Sequence, residues 1–208
     1  MPKLYFKYGA MGSSKTAQAL MTKFNYEEKG YTVGLMKPAT DDRDGADVIR
    51  SRVGLEGRGI VISNDLDLYD WFLQNRYDVL VIDEAQFLTA AQVEQLKDIA
   101  MEFVPVLCFG LKTDFRTYMF EGSKRLFEIA DSLTEIKSVC RCGRKAEVNA
   151  RIKDGRVVKE GEQILIGGND AYIGMCYNCW QAGKLDGAGR ACEKKRAGAT
   201  ALPRPSST

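Results

Sequence analysis

The chain has 208 residues, 45% of them hydrophobic, with a formal net charge of +2 and no histidine. This is enough for one α/β unit with a real core and a small addition, and it lacks the overall basic field of a nucleic-acid binder. No apolar run is long enough to span a bilayer and the N-terminus lacks a signal-peptide layout, so a cytoplasmic protein is expected, not a membrane partner. Residues 184–208 hold six Lys/Arg against two Asp/Glu, which leaves the rest of the chain slightly acidic. With no imidazole, a general base must be a carboxylate or another side chain, and a metal site must rely on Cys or carboxylates.

Leu4-Tyr5-Phe6-Lys7-Tyr8 reads as a strand and Ala17-Gln18-Ala19-Leu20-Met21 as a helix. Between them stands Gly9-Ala10-Met11-Gly12-Ser13-Ser14-Lys15-Thr16. Strand, glycine-bearing loop, Lys-Thr and helix is the layout of a phosphate-binding P-loop. Loop N–H groups and the positive helix end would face phosphate oxygens, Lys15 would reach the β/γ-phosphates, and the Thr16 hydroxyl would ligate Mg²⁺. Ser14 stands where the pattern has glycine, and a plain strand–turn–helix with a solvated lysine is the competing reading. Val33–Met36 reads as a second strand, stopped by Lys37-Pro38-Ala39, and polar Thr40–Gly45 follows where open α/β sheets place ligand groups. A helical stretch is expected over Ala46–Arg52, a strand at Ile60–Ile62 and a helix around Leu66–Leu73.

Tyr77-Asp78-Val79-Leu80-Val81-Ile82 reads as a strand, apolar from Val79 on as a buried parallel strand requires, and it ends in Asp83-Glu84-Ala85-Gln86-Phe87. Downstream of a P-loop this looks like a Walker B motif. Asp83 would hold Mg²⁺, and Glu84 would lie near the γ-phosphate and accept a proton. Two charges capping the next helix, Ala90–Glu102, would be the bland alternative. Another core strand starts near Val106, a mixed loop runs Leu111–Arg116, and a helix covers Ser123–Ala130. Alternating strand and helix predicts a parallel sheet covered on both faces.

The pattern changes near residue 135. Cys140-Arg141-Cys142 and Cys176-Tyr177-Asn178-Cys179 are two close-set pairs with 33 residues between Cys142 and Cys176. Two such pairs read as a structural Cys₄ zinc site, against four plain reduced thiols. Between them Ala146–Ile152 alternates like a strand, and Gly167-Gly168 and Tyr172 lie on a loop that the metal would clip. Tyr172 could stack on a planar ligand or pack over the zinc unit. The composition from Lys184 onward predicts a disordered tail.

The order and spacing of these motifs over residues 3–182, with Ile-Gly-Gly-x-x-x-Tyr-x-x-x-Cys-x-x-Cys at the end, resemble the type II thymidine kinase family. The resemblance implies a RecA-like P-loop domain at 1–134, a zinc-ribbon-like lasso domain at 135–183, and transfer of the ATP γ-phosphate to the thymidine 5′-hydroxyl. It assigns Gly9, Ala10, Met11, Gly12, Ser13, Ser14, Lys15, Thr16 and Asp83 to the nucleotide with its Mg²⁺. Glu84 becomes the base, with Lys15 and Arg43 neutralising the transferred phosphoryl. Asp41 and Arg43 match an Asp-x-Arg near the 5′-hydroxyl. Met11, Gln86, Phe87, Leu111, Phe115 and Tyr172 line the thymine pocket, together with the backbone of Gln163, Ile164, Leu165, Ile166 and Gly167. Cys140, Cys142, Cys176 and Cys179 are its zinc ligands. The family is typically tetrameric and inhibited by dTTP. The rivals are a RecA-like ATPase and a zinc-ribbon nucleic-acid binder with a degenerate P-loop.

Overall fold

The computed structural model describes residues 2–41, 45, 47–163 and 172–185. In chain order the first half runs β1 (Leu4–Tyr8), α1 (Lys15–Glu27), β2 (Val33–Pro38), β3 (Val48–Arg50), β4 (Glu56–Arg58), β5 (Ile60–Ile62), α2 (Leu68–Gln74) and β6 (Val79–Ile82). A 3-10 turn (Ala85–Phe87) leads into α3 (Ala90–Glu102), β7 (Val106–Gly110), α4 (Glu121–Ile129) and β8 (Ser132–Glu135). The remainder comprises β9 (Ser138–Val139), β10 (Lys145–Ala146), β11 (Val148–Lys153), β12 (Arg156–Val158), β13 (Tyr172–Met175) and α5 (Tyr177–Gln181).

Six strands form one parallel sheet in the order β5-β2-β6-β7-β1-β8. The two central strands, β6 and β7, are apolar at every position because both faces are covered. Leu80 and Ile82 of β6 point to the layer of α2, α3 and α4, where Phe72, Leu96, Ile99 and Leu126 pack. Val79 and Val81, the alternate residues, point to the α1 layer with Ala19, Leu20, Leu35 and Phe109. Helix α3 starts at a reciprocal cap, Thr89 bonding the Gln92 amide while the Gln92 side chain returns to the Thr89 amide. Its buried Val93, Leu96, Ile99 and Ala100 fall at three- and four-residue intervals, one stripe against the sheet.

This order positions the site. Strand β7 pairs with β1 on one side and β6 on the other. The P-loop and Asp83 therefore leave the sheet two strand spacings apart, roughly 10 Å, at the carboxyl ends where α/β sheets bind ligands.

Several elements differ from expectation. The helix expected over Ala46–Arg52 is instead a hairpin, β3 paired antiparallel with β4. Turning at Gly54 (φ 88°) lets it bury Ile49 beside Leu20 and Leu35, which a helix broken by three glycines could not do. Strand β2 does not stop at Lys37 but runs on to Pro38, with Pro38 opposite Ile62 at its last register position. Helix α4 begins at Glu121, two residues before the expected start. The stretch Ala146–Ile152 is split between β10, which pairs with β9, and β11. Strand β8 and helix α5 were not anticipated. β8 is an edge strand paired with β1 alone, so it needs little apolar sequence.

The last part of the chain builds a three-stranded antiparallel sheet, β12-β11-β13, next to the β9–β10 hairpin. Its core holds Cys140, Ala146, Val148, Ala150, Met175, Cys176 and Trp180, and Ala10 of the P-loop belongs to the same cluster. The phosphate loop is thus packed against the cysteine-bearing unit. Of the tail expected from Lys184 on, residues 186–208 lie outside the described residues. Among those residues no helix is long and apolar enough to cross a membrane.

Candidate active site

The P-loop is shaped by steric demand. A Cβ on Gly9 would stand 2.4 Å from the Ile136 carbonyl oxygen and 2.5 Å from Ser13 Oγ. Gly12 has φ 76°. Ser14, where the pattern has glycine, has φ 62° and ψ 30°, a left-handed conformation that a serine adopts at a strain of about 1–2 kcal/mol. It precedes Lys15 at the start of α1, and no side chain caps that helix end. The helix presents its first N–H groups and positive pole to the loop, as an anion site requires. Lys15 is buried, its ammonium donating to the carbonyls of Gly9 (3.1 Å) and Ala10 (3.0 Å) and to Ser13 Oγ (3.4 Å).

The end of β6 meets this loop. The Thr16 hydroxyl hydrogen-bonds to the Asp83 carboxylate. Burial, then the neighbouring Glu84 charge, push Asp83 up to about 7, offset in part by Thr16, the Glu84 amide and Lys15. A buried carboxylate so disfavoured as an anion, beside a hydroxyl, is a donor set suited to a hard divalent cation such as Mg²⁺. Glu84 sits at φ 50° and ψ 35°, a rare conformation for its type and one concentrated at functional sites. Its half-buried carboxylate accepts from Gln86 Nε2 (2.5 Å), and Gln86 Oε1 accepts from the Leu111 amide (2.9 Å). The Leu111 carbonyl in turn accepts from Ser123 Oγ at 2.6 Å. Glycine is required around this relay: a Cβ on Gly110 would lie 2.9 Å from Gln86 Oε1, and one on Gly122 2.6 Å from the Leu88 carbonyl oxygen. Gln86 thus uses its amide to aim Glu84 and to hold the loop after β7.

Of the expected pocket residues, Leu111 and Phe115 are buried, while Met11, Phe87, Gln163 and Tyr172 are half-buried. Phe87 packs edge-on against Phe120 at 5.6 Å. Asp114, fully buried, ties the loop by accepting from the amides of Arg116 (2.8 Å) and Tyr118 (3.0 Å) and from the Arg116 guanidinium. Asp41 follows β2, its amide donating to the Pro38 carbonyl. Buried Lys37 anchors the chain beyond, donating to the carbonyls of Gly45 and Val48 at 2.8 Å each. Arg43, Ile164, Leu165, Ile166 and Gly167 lie outside the described residues.

Two residues of β11 went unrecognised in the sequence. Asn149 Oδ1 accepts from the Met11 amide (2.7 Å), and its Nδ2 donates to the Thr113 carbonyl (2.6 Å), joining the P-loop to the loop after β7. Arg151 lies over the Phe115 ring at 3.6 Å. The sequence offered no distinguishing signal, because Asn149, Arg151 and Lys153 alternate with Val148, Ala150 and Ile152 like the solvent face of a half-exposed strand, and only the structure buries the first two.

Cys140, Cys142, Cys176 and Cys179 bring their sulfurs within 4.8 Å of one another, with no disulfide. Cys142 and Cys176 sulfurs are 3.6 Å apart, close to the ~3.8 Å edge of a tetrahedron with Zn–S bonds of ~2.3 Å. Burial raises all but one of the shifted thiols of this cluster. At Cys140 it is outweighed by hydrogen bonds at Cys142 and Cys176, which bring it down to about 7, the thiolate character a metal ligand needs. Cys108, alone in β7, is raised by full burial and is a core residue.

A parallel α/β sheet with a P-loop and an acidic pair two strands away defines the class, a nucleotide-binding α/β protein, here with four cysteines placed so that they could hold a metal ion. The sequence profile of the thymidine kinase family matches residues 2–180. The chain is similar to the thymidine kinase of Streptococcus pyogenes serotype M3 (strain ATCC BAA-595 / MGAS315), 45% identical over 180 residues, which cover 85% of this chain and 95% of that one. It is also similar to the thymidine kinase of Streptococcus thermophilus (strain CNRZ 1066), 44% identical over 184 residues, 86% and 94% of the two chains. A weaker likeness, TM-score 0.41 at 15% identity, is found to the crystal structure of Pif1 helicase from Candida albicans, over 68% of this chain and 37% of that one. The chain belongs to the thymidine kinase family.

Proposed function

We infer that the protein transfers the γ-phosphoryl group of ATP to the 5′-hydroxyl of thymidine, giving dTMP and ADP. The observation that carries this, beyond family membership, is Glu84 held on a left-handed backbone beside the Thr16–Asp83 pair and aimed by Gln86. Phosphoryl transfer needs positioning and charge neutralisation more than covalent chemistry. Loop amides and the α1 N-terminus would hold the triphosphate, and Lys15 would exchange its loop carbonyls for phosphate oxygens. Mg²⁺, held by Thr16 and Asp83, would supply the remaining positive charge. Glu84 would orient the 5′-hydroxyl and accept its proton as the new P–O bond forms. Arg43 and Asp41 would complete the phosphoryl and 5′-hydroxyl contacts. Met11, Phe87, Leu111, Phe115 and Tyr172 would enclose the base, with residues 163–167 at its edge. In this reading residues 1–134 bind the nucleotide, residues 135–183 cover the acceptor, and zinc at the four thiolates holds the cover's shape. A cytoplasmic homotetramer inhibited by dTTP, which would span the acceptor and phosphate sites, fits the same reading.

The test is phosphoryl transfer from Mg-ATP with thymidine, deoxycytidine, deoxyguanosine or no acceptor. Selective formation of dTMP is the expected result. A folded, zinc-loaded protein that hydrolyses ATP equally with and without nucleoside would contradict it.

A further inference from the structure

Among the described residues Arg151 is one of the most deeply buried cations, 7% exposed, and its described partners are neutral acceptors and aromatic rings. Burying a guanidinium is expensive, so its partners call for an explanation. Its contacts supply one. Nε donates to the Tyr172 hydroxyl at 2.8 Å and a terminal nitrogen donates to the Gln163 carbonyl at 3.3 Å. The guanidinium carbon stands 3.6 Å from the centre of the Phe115 ring, a stacking distance, and 5.3 Å from that of Tyr172. Gln163 and Tyr172 are the two residues that bracket 164–171 in the chain. One side chain therefore joins Gln163, Tyr172 and Phe115. Arg116 adds a bond to the Gly161 carbonyl at 3.3 Å from the Phe115 side.

We propose that Arg151 is a positioning and specificity-determining residue for the nucleoside acceptor. It sets the spacing between Phe115 and Tyr172, and it does so through the geometry of a guanidinium. The planar fork reaches two acceptors in divergent directions while its face lies on a ring, which an ammonium cannot do. This proposal rests on the reading that Phe115, Gln163 and Tyr172 bound the acceptor site. It assigns Arg151 no part in phosphate binding, since each of its described contacts is on the base side.

The test compares Arg151→Met, Arg151→Lys and Tyr172→Phe with the wild type, using Mg-ATP and thymidine. Zinc content and far-UV circular dichroism establish that each variant is folded. Arg151→Met is expected to raise the thymidine KM by about 10- to 100-fold while the Mg-ATP KM stays within about twofold, a split that general loosening does not produce. Arg151→Lys should recover only a small part, because the charge returns without the fork. Tyr172→Phe, which keeps the stack and removes one acceptor, should show a smaller rise of the same kind. An unchanged thymidine KM in Arg151→Met, or parallel rises in both KM values with loss of zinc, would overturn the proposal. If the wild type itself makes no dTMP, the acceptor reading has failed, and amide exchange without nucleoside then decides this one. Faster exchange in peptides covering 161–163 and 172–175 of Arg151→Met supports the tie, and unchanged exchange removes it.

Discussion

Asp83 and Glu84 are adjacent in the chain, yet they stand in different settings and call for different tests. Asp83 is almost fully buried and titrates near 7 in the folded protein against 3.8 in an unperturbed chain. Its folded pKa is raised, so the stability linked to its proton is fully present below the unfolded value and is lost as pH rises through about 7. Nucleotide-free wild type should therefore lose melting temperature relative to Asp83→Asn between about pH 4 and 7. Parallel melting curves for the two proteins across that range would show that Asp83 keeps no such proton. Glu84 is half-buried and already bonded to Gln86, as a positioned base would be. Glu84→Gln should lower kcat by about 10²–10⁴ with the KM for Mg-ATP little changed, and an unaltered kcat would remove its role.

At the scale of elements, the sheet's stability rests on α3, whose stripe faces Leu80, Ile82 and Val106. Leu96 is fully buried in that layer, so Leu96→Ala should lower the unfolding free energy by about 2–5 kcal/mol in urea titration. Thr89→Ala, which removes only the cap, should lower it by about 1 kcal/mol, and equal losses from the two would mean that packing does not dominate. Elements read from their own periodicity came out close to expectation: α3 spans Ala90–Glu102, and the strand before Asp83 is buried throughout. The 48–58 hairpin and β8 did not. Their form is decided by what they lie against, Ile49 by the α1 layer and β8 by the open edge of β1.

Across the whole molecule, the cysteine-bearing unit and the P-loop share one apolar cluster through Ala10, and they touch at backbone level. A Cβ on Gly174 would come within 2.6 Å of the Met11 carbonyl oxygen, and Asn149 bonds the Met11 amide. Metal removal should then reach the nucleotide site. One zinc per chain is expected by metal analysis, and chelation should lower both the melting temperature and the affinity for ATP measured by calorimetry. Unchanged ATP affinity in the zinc-free, still folded protein would mean that the contact transmits nothing.

The sequence alone determined what depends on short spacing. Gly9–Thr16, the acidic pair after an apolar strand, and two cysteine pairs are local patterns whose chemistry needs those residue types at those intervals. It also determined the alternation of strand and helix, hence a parallel sheet, because that follows from hydrophobic period. Tertiary structure alone decided the rest. The strand order sets β7 between the P-loop and Asp83, and the left-handed backbone at Ser14 and Glu84 is imposed by neighbours rather than by residue type. Asn149 and Arg151 acquire their partners only when β11 is laid against residues 113–115, some 36 positions earlier in the chain. Such contacts carry no local signature, since the free energy that selects them comes from burial and pairing between distant segments.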